Sequence, residues 1–584
     1  MVSFRAFRIG LAGVGVLVVL GIGWAAWQTW QVNQDLSRAV DHANAFQAAV
    51  EAGDRAAVER ELNALQESSS SAADRTSGLT WSVLTNVPVF GDDARGVRAA
   101  SEAVADLSVD GLEPLVGIQE DLKAILPKNG EVPVDAIRDL QDPVAQARLA
   151  LDAAAAELAE EDPSGFVSPL AVKYRDLQDK ITRAAEAMDT ADRAVTILPD
   201  VLGGGRPQRF LVVFQNNAEI RTTGGLPGAV VEIEANDGRL EIVRQSAASA
   251  LGRTPDPVLP LTSGEFYLYG TVFGEFFLDA NFTPNFPRAA DLMRAHWEGA
   301  FDTSVDGVVT LDVVSLGYLL EATGPISAGD RELTSANVVD ELLHQVYLDY
   351  PDPAAQDVYF QDVAATAFDT FTSGVGDPAA LIRQLAKGTN EHRILFHSFE
   401  NPVQREITGT KIAGEYDGLG GSDAEPAIAV GLNDFTAAKM SYFLRYNVDV
   451  DATSCGAVGQ TYAASARFES LAPRDAGETL PEYVTGFERL GAAPAGHQRV
   501  FVRIYAPPGG RVSDVTLQDE PLEVTSYDLD GSDVAQVSFE IAPQEAVEVE
   551  WQMRSGPGQT GDTSVYVTPG IAEGEYSHTV PTAC

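Results

Sequence analysis

Arg209-Phe-Leu-Val-Val-Phe214 runs directly into Gln215-Asn-Asn-Ala-Glu-Ile-Arg-Thr-Thr-Gly-Gly-Leu-Pro-Gly228, and the reading of this stretch decides the fold. Its first part is a short apolar run of the kind that fills a buried strand. Its second part gathers amides, a carboxylate, an arginine, hydroxyls and glycines. Backbone amides freed by Gly224, Gly225 and Gly228 suit an anion, and Arg221 suits a phosphate or carboxylate gripped by two parallel bonds. Asn216, Asn217, Glu219 and Thr223 suit a sugar hydroxyl or a cation. A polar turn whose side chains satisfy their own backbone fits the same residues, so a ligand site and a structural turn both stand.

Working outward, Ala229-Val-Val-Glu-Ile-Glu234 alternates, Asn236-Asp-Gly238 turns, and Arg239-Leu-Glu-Ile-Val243 follows. Asn, Asp and Gly tolerate the positive φ of a tight turn, so a hairpin is expected. A second polar cluster is Asp279-Ala-Asn281-Phe-Thr-Pro-Asn285-Phe-Pro287. On a strand Asp279 and Asn281 would share one face, turned toward the Asn216–Arg221 segment. The alternative is that Thr283 or Asn285 caps the helix expected from Phe286 to Glu298. A strand at Val305–Leu311 and helices at Val313–Ala322 and Val338–Leu348 come next. Asp306 and Asp312 flank the strand as candidates for an acidic site, with capping of the Val313 helix by Asp312 as the other use. Strands and helices thus alternate over residues 206–428, which predicts a central α/β (α+β) domain. Over residues 429–584 the helical signal stops. Short alternating runs such as Val500–Tyr505 and Val534–Ile541 recur between turns such as Pro507-Pro-Gly-Gly510, which predicts a C-terminal antiparallel β-sandwich.

Residues 35–202 read as a helical stalk or bundle, dense in alanine, with breaks expected at Ser68–Ser71, Pro88–Asp93, Pro127–Pro133 and Pro163–Pro169. Such a region suits spacing or homo-oligomerisation. Before it, Arg5 and Arg8 precede a segment, Ile9–Gln34, without a charged residue, and Trp24, Trp27 and Trp30 close its apolar part. About 20 apolar residues cross a hydrocarbon core of about 30 Å. Residues 1–34 are therefore read as a cytoplasmic tip and a single transmembrane helix, with the bulk of the chain extracytoplasmic at the cell membrane. A cleaved signal peptide with its apolar region at Ile9–Gly23 is the other reading, and it exports the chain equally.

The chain has 584 residues and a net charge of −45. It is long enough for several cores, and its acidity excludes nucleic acid as a partner, since phosphate binding needs a basic face. The two cysteines, Cys455 and Cys584, are read as a disulfide in an exported protein, with two free thiols as the alternative. No HExxH, GxSxG, P-loop or CxxC spacing occurs, and the seven histidines are scattered. No cofactor is called for by a motif, and no catalytic residue is assigned.

The blocks Phe210–Gly228, Asp279–Pro287 and Asp306-Gly-Val-Val-Thr-Leu-Asp312 with Ala322-Thr-Gly-Pro325 resemble the family known as domain of unknown function 4012. The resemblance implies an exported surface protein of high-GC Gram-positive type, with relatives linked to envelope polysaccharide, and no established activity. A weaker resemblance is to the LytR-CpsA-Psr enzymes, which move glycopolymers from a polyprenyl pyrophosphate lipid onto the wall with arginines and Mg²⁺. Arg221 matches their first arginine. Their Pro-Arg-Asp block falls here on Gln245-Ser-Ala-Ala248, with Arg244 displaced, so matched cations for a pyrophosphate are missing. The expectation is therefore a non-catalytic envelope protein that binds or organises glycopolymer or a surface partner. A Mg²⁺-assisted transferase and a purely structural assembly protein are the alternatives. A binding module would show a groove with exposed aromatics, for which Phe266, Tyr267 and Tyr269 are the candidates.

Overall fold

The computed structural model describes residues 27–50, 54–88, 90–117, 125–128, 130–374, 378–416, 425–436, 438–486, 493–574 and 576–584. Two compact units form, the described part of Met1–Ile125 with Val134–Pro199, and Leu126–Pro133 with Asp200–Cys584. The expected order of a helical N-terminal region, an α/β middle and a β-rich C-terminal part is present.

In the first unit, helix α1 covers residues 27–50, α2 Arg55–Ser77, α3 Leu79–Leu84 and α4 Gly91–Asp106. The π turn Leu107–Gly111, the short helix Leu112–Gly117 and helices Val134–Ala159 and Ser168–Val201 follow. Asp54 starts α2 by accepting a bond from the Ala57 amide at 3.1 Å, a use of the N-cap that satisfies an orphan donor. Ala57, Val58, Leu62, Leu65, Ser69 and Ala72 line its buried face at helical spacing. α1 and α2 run antiparallel, tied by His42 to Glu61 at 2.9 Å and by Arg75 to Asp35 at 2.7 Å and to Gln31 at 2.6 Å. The break expected at Ser68–Ser71 does not occur, because that run lies inside α2. The Ser68 hydroxyl donates to the Ala64 carbonyl at 2.7 Å and Ser69 meets Ser108 across the helices at 3.3 Å. Serine hydroxyls that bond back one turn are tolerated within a helix.

Among the described residues no helix is long and apolar enough to cross a membrane. Most of the expected span, residues 9–26, lies outside the described residues.

The second unit begins with a mixed sheet of β1 (Gln208–Arg221), β2 (Gly224–Asn236), β3 (Arg239–Ala247) and β4 (Gly307–Asp312). A small pair, β5 (Ile326–Ala328) and β6 (Arg331–Leu333), precedes its last strand, β7 (Ile394–Ser398). The sheet order is β3-β2-β1-β4-β7, with β1 parallel to β4 and the other pairs antiparallel. Leu211 and Val213 of β1 face helix Phe286–Phe301 through Ala289, Leu292, Met293 and Trp297. Val212 and Phe214, on the other face, meet Leu319 and Leu381 of two further helices. Period-two alternation therefore feeds a core on each side. The β2–β3 turn has Asp237 at φ 50° and Gly238 at φ 83°, the positive-φ pair that the Asn-Asp-Gly sequence predicts.

The β-rich part comprises β8 (Ala427–Asp434), β9 (Leu444–Gly456), β10 (Gly459–Ser470), β11 (Gln498–Tyr505), β12 (Arg511–Leu517) and β13 (Glu520–Pro521). It continues with β14 (Thr525–Leu529), β15 (Ser532–Ile541), β16 (Ala546–Arg554), β17 (Thr563–Val567) and β18 (Ser577–Val580). One sheet has the order β13-β12-β16-β10-β9 and the other β14-β15-β11-β8-β17-β18. They share a core in which Val448, Tyr462, Phe468 and Trp551 of the first meet Leu432, Val502 and Val537 of the second. Ile220, near the end of β1, enters this same core.

Cys455 and Cys584 form the expected disulfide across a sequence separation of 129. A cross-link closing so long a loop stabilises by up to about 4–5 kcal/mol in the chain-entropy account. Cys584→Ser should therefore lower the unfolding midpoint of the second unit in a denaturant titration, and reductant should lower the wild type to the same value. An unchanged midpoint would show that the C-terminus is held by its hydrogen bonds alone.

Candidate functional site

The polar half of the deciding stretch is not a loop. β1 continues through it to Arg221, and β2 returns from Gly224, so the segment forms the far end of a hairpin. Two register shifts, between Phe214 and Gln215 and between Asn216 and Ile220, bulge β1 against β2. Gly225 makes the bulge possible, since a Cβ there would lie 2.3 Å from the Asn216 carbonyl carbon. Gly224 takes φ 130° at the turn, and Gly228 lies within β2. A bulge with glycine opposite it re-aims side chains, and here it aims them inward.

Each candidate residue has a protein partner or a packing role. Gln215 donates to Thr223 at 3.2 Å, and Asn217 donates to Asp312 at 2.9 Å. Asn216 accepts from the Ala218 amide at 3.0 Å and donates to the Tyr347 hydroxyl. Asn281 donates to the Gly225 carbonyl at 2.9 Å. Between the two strands, Thr222 is clamped on all sides. Its hydroxyl donates to the Phe282 carbonyl at 2.8 Å, and Asn433 donates to that hydroxyl at 2.8 Å. The Thr222 carbonyl accepts from Tyr566 at 2.6 Å and from Thr568 at 2.9 Å. Gln215 Oε1, Asn217 Oδ1, Arg221 Nε and Asn281 Oδ1 remain without a protein partner among the described residues.

Asp279 and Asn281 do not share a strand face. Asp279 ends the 3-10 turn Phe277–Asp279 and Asn281 falls in the turn after it. Asn285 holds the N-cap position of helix Phe286–Phe301 without a side-chain cap bond, and the Thr283 hydroxyl accepts from the Asn285 amide at 3.2 Å. Asp306 accepts from the Arg209 amide at 2.7 Å and from Arg206 at 2.9 Å. Asp312 caps helix Val313–Thr323 through the Ser315 amide at 2.7 Å. It also accepts from Arg393 at 2.8 Å, a guanidinium with a fully buried side chain that holds the Gly570 and Ala572 carbonyls as well.

The structure does bring Glu219, Arg221 and Asp279 together. Arg221 donates to Glu219 at 2.9 Å and reaches Asp279 at 3.4 Å, while its other terminal nitrogen donates to the Ile220 and Asp434 carbonyls. Lys439 closes the far side of Glu219 at 2.5 Å. Burial acts to raise the Glu219 carboxyl, but the charges of Lys439 and Arg221 outweigh it and hold the group below the usual range. Asp434 moves the other way. Burial, reinforced by the nearby Glu219 charge, pushes it up against the pull of Thr436. Asp279 is also pushed up by burial, against Arg221. Arg221 and Lys439 are both committed to Glu219, and Arg221 reaches Asp279 as well, so an added anion would compete with carboxylates already in place. Among the described residues no group of three or more His, Cys, Asp or Glu is placed to hold a metal ion. Lys439 and Asp434 were not legible as members, nor Arg393 as the partner of Asp312, because they lie far along the chain with no motif around them.

An open groove lies elsewhere in the unit. It has a volume of about 550 Å³ and is lined by Pro257, Leu259, Pro260, Leu261, Thr262, Ser263, Phe266, Tyr267 and Thr271. Phe266 is 48% exposed and Tyr267 69%, with their rings edge to face at 5.4 Å. The third expected aromatic, Tyr269, is instead buried, its hydroxyl 2.8 Å from that of Tyr505. The short helix Ser263–Tyr269 that presents the two rings is fixed by a capping box. Glu265 accepts from the Thr262 amide at 2.8 Å, and Thr262 accepts from the Glu265 amide at 3.1 Å. A smaller hollow of about 280 Å³ shares Pro260 and Thr262 with the groove and adds Glu265, Thr283, Asn285, Arg288, Leu529 and Asp530. Arg288 is held there by Glu265 at 2.6 Å.

By class, then, the chain is a helical region followed by one compact unit in which an α/β sheet and a β-rich part are joined by a buried polar hairpin. Residues 205–347 match the model of the family described as protein of unknown function (DUF4012), which bears out the resemblance read from the Phe210–Gly228 block. A comparison with curated proteins gives no match.

Lys439→Met leaves the buried Glu219 short of one cation and should destabilise the second unit by about 3–5 kcal/mol, read from denaturant unfolding. Asp434 gives a pH test. Its folded-state carboxyl is raised, so the stability it contributes is present below the ordinary aspartate range and is lost as pH rises through the folded value. Asp434→Asn, which is neutral throughout, should therefore cost less at neutral pH than at about pH 3.5. An equal cost at both would contradict the assignment.

Proposed function

We propose that the protein is a membrane-anchored, extracytoplasmic cell-envelope component. In this reading it is not an enzyme, and it binds glycopolymer along the Phe266–Tyr267 groove. The observation that carries the reading is the aromatic pair standing exposed over an open groove next to a polar hollow. Apolar ring faces suit the C–H faces of sugars, and a few placed polar groups, here Thr262, Asn285 and the Glu265–Arg288 pair, suit their hydroxyls. Anchoring is supported by the uncharged segment Ile9–Gln34 behind Arg5 and Arg8, the pattern of a single span with its N-terminus in the cytoplasm.

Transfer from a polyprenyl pyrophosphate lipid is less well supported. Arg221 is 5% exposed and paired to two carboxylates. Gripping a pyrophosphate would require breaking those pairs.

Replacing both rings, Phe266→Ala with Tyr267→Ala, should weaken binding to purified envelope polysaccharide about tenfold or more in calorimetric titration, with the unfolding midpoint nearly unchanged because both rings are exposed. Unchanged affinity would remove the groove from the account. In a parallel thermal scan, Mg²⁺ with a polyprenyl pyrophosphate analogue should leave the wild-type midpoint where it is. A rise that Arg221→Ala abolishes would restore the transferase reading.

A further inference from the structure

From Thr76 to Gly91 the sequence carries no charged residue, although 21% of the chain is charged. This run forms the end of α2, the whole of α3 and the turn into α4. Its apolar residues divide in two. Trp81 turns inward, donates its indole N–H to the Ala94 carbonyl at 2.8 Å and packs against Val32 of α1. Leu79, Val83 and Phe90 turn outward and are 89%, 68% and 59% exposed. Leu79 and Val83 are four apart on α3 and so share one face. A scattered exposed leucine needs no explanation, but a group of three within an uncharged run marks a contact surface.

The position of the group indicates what it contacts. α2 runs antiparallel to α1, with Arg75 held by Asp35 and Gln31. Beyond Arg75, Trp81 and Leu84 of α3 pack with Val32 and Leu36, which brings α3 level with the first described turns of α1. There Trp27 and Trp30 are 44% and 55% exposed, directly behind the apolar run that begins at Ile9. Tryptophan and phenylalanine settle at the boundary between water and hydrocarbon, and a short amphipathic element lies in that boundary with its apolar face down.

We propose that α3 and the turn after it dock into the interface of the same membrane that holds the N-terminal segment, giving the helical unit a second point of attachment. The proposal rests on the anchored reading given above. The occupant is a lipid surface engaged through apolar contact. The uncharged character of the run makes docking independent of anionic headgroups, which would otherwise repel so acidic a chain.

The test uses the full chain reconstituted in zwitterionic phosphatidylcholine vesicles. Because Cys455 and Cys584 are paired, a single introduced thiol can carry an environment-sensitive dye. One variant is Val83→Cys. The control is Glu59→Cys, at an exposed site about 27 Å back along α2 from Ser77 at 1.5 Å per residue. Lipids brominated near the headgroup end of their chains should quench the dye at position 83 about threefold more than at 59. The difference should persist in about 0.5 M salt, which screens charge contacts. Adding Leu79→Asp should reduce quenching at 83 to the control level with helical circular dichroism unchanged.

Equal quenching at both positions in a chain that floats with vesicles would overturn the docking while leaving the anchor standing. A chain that fails to float would overturn both. A dye at position 83 that is shielded without lipid and cross-links between copies would assign the face to a second copy of the chain instead.

Discussion

Five charged groups, Glu219, Arg221, Asp279, Asp434 and Lys439, meet at the end of the β1–β2 hairpin, and the second unit depends on how they are held. Removing a charge from water costs several kcal/mol even after relaxation, and only close partners with further hydrogen bonds return it. Glu219 has two cations, at 2.9 and 2.5 Å. Arg221 reaches carbonyl oxygens on both β1 and β8 as well as its carboxylates. Lys439 and Asp434 come from the β-rich part, so the hairpin end cannot be satisfied by the α/β sheet alone. That requirement and the clamp on Thr222 act alongside apolar clusters that run across both parts, and together they make a single compact unit.

The signals that could be read from the sequence were local ones. Asn236-Asp-Gly238 announces its turn because positive φ is a property of those residues themselves, and Asp312 announces its cap because the partner amide is three residues away. The alternation of Leu211, Val212, Val213 and Phe214 between two cores follows from strand geometry. The disulfide followed from an even cysteine count in a chain whose N-terminal segment reads as an export signal or anchor. What was not legible had its cause elsewhere in the chain. Arg221 looks like an anion site until Asp279 and Asp434 are placed beside it, and Lys439 lies 220 residues from Glu219. Polar composition suggests solvent, yet here a bulge turns Asn217, Glu219 and Arg221 inward. Ser68–Ser71 suggests a break, yet hydroxyls bonding back one turn keep α2 whole. Of the three neighbouring aromatics, Phe266 and Tyr267 are exposed, while helical spacing turns Tyr269 inward toward Tyr505.

The family match ends at Tyr347, which is the partner of Asn216. The matched segment therefore contains the hairpin, Asp279 and Asp312, but not Arg393, Asp434 or Lys439. Within it, Glu219 has Arg221 alone, and Asp312 has no cation. The unmatched remainder supplies the missing charges. The polar block is thus better understood as the half of a joint that belongs to the matched segment than as a site complete in itself.

The same charge accounting bears on what the groove can accept. The chain has a net charge of −45, and a field of that sign opposes polyanions at a distance. Close to the groove the opposition is not relieved, because Arg288 is held by Glu265 and Asp530 adds a further carboxylate. The groove itself is lined by proline, leucine, phenylalanine, tyrosine and hydroxyl side chains. Such a surface discriminates by shape and apolar contact, with hydroxyls satisfied at its edge. Sugar units without phosphate fit that chemistry, and phosphate-bearing units would meet the Asp530 carboxylate in the adjoining hollow. If the groove binds glycopolymer as proposed, the acidity of the chain favours neutral glycan over polyanionic glycan.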